Sequence, residues 1–163
     1  MIKSYKKGMA LIEILLVIVI IGILSLIVFP QFSKIRENQI LKNTVEDVVS
    51  TLHSTQSQSL ASIDSSQYGV HFQSDKIIIF KGQIFSEGAL GNKIINITSP
   101  ISISNVTLGG VSSTLGDLYF ERLSGMPSKI GTVTISTSSV SKIITISATG
   151  AVSVNWINYE LKI

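Results

Sequence analysis

Cysteine is absent from the 163 residues. That absence removes disulfide staples, thiolate metal sites and cysteine nucleophiles together. It does not place the chain in a compartment, because a secreted domain can fold without bridges. Charge is scarce too, with Asp, Glu, Lys and Arg making up 14% of the residues. The formal charge of +3 belongs to the N-terminus: Lys3, Lys6 and Lys7 precede Gly8, and without them ten basic and ten acidic side chains remain. No long positive stripe is left to track a nucleic-acid backbone. Beyond residue 64 the acidic residues Asp75, Glu87, Asp117, Glu121 and Glu160 stand alone, and no D-x-D-x-D-G spacing offers to hold calcium. Of the two histidines, His53 is expected at the surface or in packing, and His71, alternating with Val70 and Phe72 in a strand, is expected to face solvent. No serine is expected to be joined to a base in a G-x-S-x-G or S-x-x-K constellation. The chain is therefore not expected to be an enzyme, and no metal, cofactor or catalytic residue is expected.

What is present is one long apolar run. From Met9 to Phe29 the only ionisable side chain is Glu13. As a helix rising 1.5 Å per residue, this stretch reaches about 31 Å, one hydrocarbon thickness. The lysines ahead of it argue for an N-in, C-out orientation. A secretory signal peptide would place its small-residue cut after the apolar run, whereas here the small residue, Gly8, precedes it. The candidate processing point is accordingly Gly8–Met9. Glu13 admits two readings. It can snorkel to the headgroups near a favourable helix N-terminus, or it can meet a partner that offsets the cost of a carboxylate near lipid, about 2.5 to 3.5 kcal/mol at mid-helix.

The residues K-G-M-A-L-I-E (7–13) and the apolar helix after them resemble the class III leader of type IV pilins and type II secretion pseudopilins. The resemblance implies that prepilin peptidase cuts after Gly8 and that Met9, standing where phenylalanine is usual, becomes an N-methylated first residue. It also implies that Glu13, then fifth in the mature chain, pairs with the terminal amine of a neighbouring subunit, an attraction that is strong in low dielectric. Gly22 and Pro30 fall where pilins carry helix-weakening residues. Pro30 cannot donate to the carbonyl of Leu26, and Gly22 is a poor helix former. Two readings stand for this segment, partial melting on filament packing and a simple kink at Pro30.

Past Pro30, Leu41, Val45, Val48 and Leu52 recur on one helical face, widened by Ile35 and Val49, and the stripe fades into Ser and Gln after Leu52. A single helix of about fifty residues is the economical reading. After Asp64 come period-two runs rich in Ile, Val and Thr, among them YGVHF, KIIIFKG, ISISNVTL, GTVTIST and KIITISATGAVSVN, which are expected as at least six strands. The predicted fold is α+β: a pilin fold with a long N-terminal helix, membrane-spanning in its first half, packed on an antiparallel β-sheet domain arranged as a meander. The expected divisions are a cleaved leader over 1–8, a transmembrane and filament-core helix over 9–30, an amphipathic half over 31–63 and a β-rich globular domain over 64–163. The runs LYFERLSGMPS, with its Gly125-Met126-Pro127 turn, and KIITISATGAVSV, with Gly150 at the bend, resemble the GspH/FimT-type minor pseudopilin branch.

The resemblance implies a structural subunit of a type IV pilus or type II secretion pseudopilus. Its expected partners are prepilin peptidase, other pilin or pseudopilin subunits, an inner-membrane assembly platform and membrane lipid. Its expected location is the inner membrane before assembly and an extracellular or periplasmic filament afterwards. A membrane-anchored adhesin or DNA-capture tip protein is the alternative. DNA binding is not carried over from relatives, since Lys162 alone is basic near the C-terminus, beside Glu160. Trp156 and Tyr159 are expected to pack on the sheet.

Overall fold

The computed structural model describes residues 5–157, with side chains described for 11–26, 32 and 34–155. One helix, α1, runs Tyr5–Leu60, beginning inside the predicted leader and passing through Gly22 and Pro30 as a single element. It ends without a capping glycine. Instead Ser62 takes a left-handed conformation and leads into a short 3-10 turn, Ile63–Ser65. By its contacts the chain divides into two compact units, 1–37 and 38–163. In the first, every described side chain from Leu11 to Leu24 is exposed.

In the second unit the predicted seam is buried: Leu41, Val45, Val48 and Leu52 are at most 3% exposed. The seam does not fade after Leu52, as the sequence pattern suggests, because it continues in small hydroxyl residues. Thr55 and Ser59 are fully buried. The Thr51 and Thr55 hydroxyls donate to the carbonyls of Asp47 and Thr51 one turn back, so they lie against an apolar core without an orphaned O–H. Ile35, expected to widen the seam, is exposed, and Val49 is half-buried.

Among the described residues nine strands come after the helix: β1 Tyr68–Phe72, β2 Lys76–Lys81, β3 Lys93–Asn96, β4 Ser102–Leu108, β5 Val111–Ser113, β6 Gly116–Phe120, β7 Gly131–Ser136, β8 Ser141–Ile146 and β9 Val152–Ile157. All pairings are antiparallel. They form two sheets rather than the predicted meander, in the orders β3-β2-β1-β6 and β5-β4-β7-β8-β9. The departure comes from β6, which returns to pair with β1. Gly116 lets that strand lie close to the other sheet, since a Cβ there would sit 2.7 Å from Val106 Cγ1.

The inner faces of both sheets and the helical seam share one core. Val70, Phe72, Ile77, Leu118 and Phe120 come from the first sheet, and Ile103, Val106, Val133, Ile135, Ile144 and Ile146 from the second. Each such side chain stabilises by about 1.5 to 3 kcal/mol when taken fully from water.

The outer face of the four-stranded sheet corrects the reading of His71. This residue is not solvent-facing: it is 9% exposed. The β2–β3 loop folds over it, and Phe85 stacks on the imidazole with ring centroids 3.9 Å apart and planes 4° from parallel. Alternation along β1 correctly puts His71 on the face opposite Val70 and Phe72, but it carries no signal that a distant loop covers that face.

Candidate functional site

The residues expected to carry function lie along the first half of α1. Gly8, Met9, Glu13, Gly22 and Pro30 all fall within the helix. The Glu13 side chain is exposed among exposed neighbours that include Leu11, Ile12 and Leu16. The salt bridges seen among the described residues, Lys42–Glu46 and Lys81–Asp64, do not involve Glu13. Gly22 has open space around its missing Cβ. The side chains of Met9 and Pro30 lie outside the described residues. An apolar surface closed around the whole helix circumference has no polar face to offer water, and such a helix is stable when lipid or other apolar helices cover it.

Among the described residues no helix is long and apolar enough to cross a membrane. Described side chains in this segment run from Leu11 to Leu26, about 24 Å of helix, short of the ~30 Å hydrocarbon layer. The remainder of the expected Met9–Phe29 span lies beyond them.

The described residues of the second unit present a polar surface. Asp64 accepts hydrogen bonds from Lys81 Nζ at 3.1 Å and from the Tyr68 hydroxyl at 3.2 Å. Lys81 holds the Asp64 carboxyl below its ordinary value, while burial, with Asp64 beside it, pushes the Tyr68 phenol up. Lys142 is buried on β8, and burial together with Lys42 lowers its pKa against the opposing pull of Glu46. A groove of about 520 Å³ is lined by Ser104, Thr134, Val140 and the serine-rich β7–β8 hairpin. It presents hydroxyls without an ionisable partner.

Although no S-x-x-K constellation is expected, the same hairpin carries that spelling at Ser139–Lys142. Ser139 lies in the hairpin turn and Lys142 on a strand, so the helical turn that would bring the two together is missing. Among the described residues no group of three His, Asp or Glu side chains could hold a metal. His53 is exposed, as expected. Tyr159, Glu160 and Lys162 lie outside the described residues, as does the Trp156 side chain.

Gly125 and Gly150, two of the glycines singled out in the sequence, converge on one helical residue. Gln56 Nε2 donates to the Gly125 carbonyl at 3.0 Å. A Cβ on Gly150, which has φ +79°, would strike the Gln56 side chain and come within 2.8 Å of the same carbonyl. The helix is thereby hydrogen-bonded to the 121–127 turn, and the Gln56 side chain lies against the β8–β9 bend.

Residues 3–29 match the family model described as the prokaryotic N-terminal methylation motif. The matched segment holds Gly8, Met9 and Glu13. It indicates a pilin-like substrate of prepilin peptidase and supports the type IV pilin and pseudopilin superfamily. It implies assembly with other pilin subunits, and it points to membrane anchoring and to a structural subunit rather than an enzyme. The helix followed by antiparallel sheets is consistent with the pilin fold. No curated protein and no solved structure matches the chain at a significant level.

Proposed function

We propose that the chain is a structural subunit, a pilin or a minor pseudopilin of the GspH/FimT type, of a type IV pilus or type II secretion pseudopilus. The observation that carries this reading is the methylation-motif match over residues 3–29, with its glycine, its following apolar helix and its single carboxylate in register. In this account residues 1–8 form a leader removed between Gly8 and Met9, and the new amine of Met9 is methylated. Residues 9–30 span the inner membrane with the N-terminus inside, then leave lipid to bundle with neighbouring helices at the filament core. Residues 31–63 continue the helix into the β-rich domain of 64–163, which faces outward.

Glu13 sets register by pairing with the Met9 amine of an adjacent subunit. A charge pair in a low-dielectric surround attracts strongly, and each group removes the other's cost of burial. Gly22 and Pro30 mark the part of the helix that yields most easily to packing. The test is Glu13→Ala. Trimming at Gly8–Met9 should continue while incorporation into filaments falls, and a normal filament yield from this variant would remove Glu13 from the register role.

A further inference from the structure

On the outer face of the four-stranded sheet, residues paired across strands share one side. His71 lies between Asp117 of β6 and Ile78 of β2. Gly69, one pair along, lies beneath Phe80: a Cβ at that position would collide with the Phe80 ring. Over this surface runs the β2–β3 loop, residues 82–92. Its first residue is fixed, the Gly82 N–H donating to the Gln67 carbonyl at 2.8 Å, and beyond it the loop's backbone bonds are local, from Ala89 to Ser86 and from Asn92 to Ala89. Phe85 supplies aromatic contacts to the sheet, stacked on His71 and set edge-on to Phe80 at 5.6 Å. Beneath that stack, His71 Nδ1 is buried with no hydrogen-bond partner. Gly88 and Gly91, beyond that fixed end, have positive φ, a conformation glycine enters and leaves at low steric cost, so the loop can move there.

We infer that the β2–β3 loop is a strap latched by Phe85 on neutral His71, and that protonation of His71 opens it. The reason is the buried Nδ1. In the neutral ring it can remain a bare lone pair, whereas in the imidazolium it becomes an N–H that must find an acceptor. Closed, the strap offers it none among the described residues.

The charged groups around the ring divide. Asp117 of β6 and Glu87 of the loop favour the imidazolium, and Lys76 of β2 opposes it. Cation–π attraction to Phe85 also favours it. Burial is the largest effect and holds the His71 pKa below its ordinary 6.5. The closed strap therefore binds the proton less well than the open one. Its stability is fully present above about pH 6.5 and is lost as pH falls from there through the lowered value. Opening lets the imidazolium reach water and the Asp117 carboxylate. This device is independent of the filament reading, since it lies wholly within the β domain.

The experiment is NMR on the full chain in detergent micelles, with histidine and phenylalanine rings labelled. His71 should titrate below its ordinary 6.5, and the His71–Phe85 ring contact should be lost along that titration. Between about pH 7.5 and about pH 5, the open-to-closed ratio should rise by up to about thirty-fold. His71→Phe, which keeps a stacking ring without a proton, should hold the strap closed at both values. Phe85→Ala should bring the His71 titration up towards its ordinary 6.5 without disturbing β7 and β8. A ring contact that survives proton uptake by His71, or one lost equally in His71→Phe, overturns the latch.

Discussion

Ser59→Ala offers the sharpest test of how the helix is fastened to the β domain. Ser59 is fully buried at the last turn of α1, and three connections meet there. Its hydroxyl accepts the Tyr68 N–H at 2.9 Å and donates to the Tyr68 carbonyl at 3.4 Å. Its backbone carbonyl accepts the N–H groups of Ser62 at 3.0 Å and Leu123 at 3.1 Å. Alanine keeps the carbonyl bonds and removes the hydroxyl. The Tyr68 N–H, at the start of β1, is then buried without a partner, which costs about 1 to 3 kcal/mol. The longer bond to the Tyr68 carbonyl adds little, because hydrogen bonds weaken quickly beyond about 3.2 Å. Losing one oxygen also leaves almost no cavity, so the polar effect dominates. Urea unfolding followed by circular dichroism should show a lower midpoint with an unchanged slope. Exposed Ser57→Ala is the control and should stay within about 0.5 kcal/mol of the parent. A Ser59→Ala midpoint indistinguishable from that of the control would refute the fastening role.

Other consequences can be measured on the same footing. Leu52→Ala, at a fully buried seam position, should destabilise by about 2 to 5 kcal/mol in the same unfolding assay. Gly150→Ala should cost about 1 to 3 kcal/mol, because its φ of +79° and the nearby Gly125 carbonyl both resist a side chain; a neutral result would show that the bend relaxes freely. Lys81→Gln should raise the Asp64 titration towards 3.8, since the Lys81 hydrogen bond is the largest cause of its depression. The stability that Asp64 contributes is present above that ordinary value and is lost as pH falls through the lowered one. Carbonyl NMR reads the shift directly. Neutral-pH stability should change little, because the pair is exposed and screened.

The helix was legible because its seam repeats at helical spacing and its Met9–Phe29 stretch is apolar but for Glu13. Most strands were legible because short β-branched runs are bounded by Gly, Asn and Ser. Three things were not. β5 is the short hydroxyl-rich run Val-Ser-Ser, which reads as a turn. The split into two sheets depends on β6 reaching back to β1, a long-range pairing that local pattern does not encode. Thr55, Ser59 and His71 are polar residues placed indoors by tertiary contacts, so composition alone assigns them to the surface. The motif residues Gly8, Met9 and Glu13 were the reverse case. Their spacing carries the resemblance to the prepilin leader, whereas one isolated chain holds no neighbouring amine for Glu13 to meet.

The central claim is that the chain is a pilin-like precursor whose mature form begins at Met9. Intact-mass and N-terminal analysis of the chain coexpressed with a prepilin peptidase tests it most directly. The account predicts loss of residues 1–8, one added methyl group on the Met9 amine, and retention of the leader in Gly8→Ala. An uncut chain in the presence of active peptidase, or a cut anywhere other than Gly8–Met9, would contradict it.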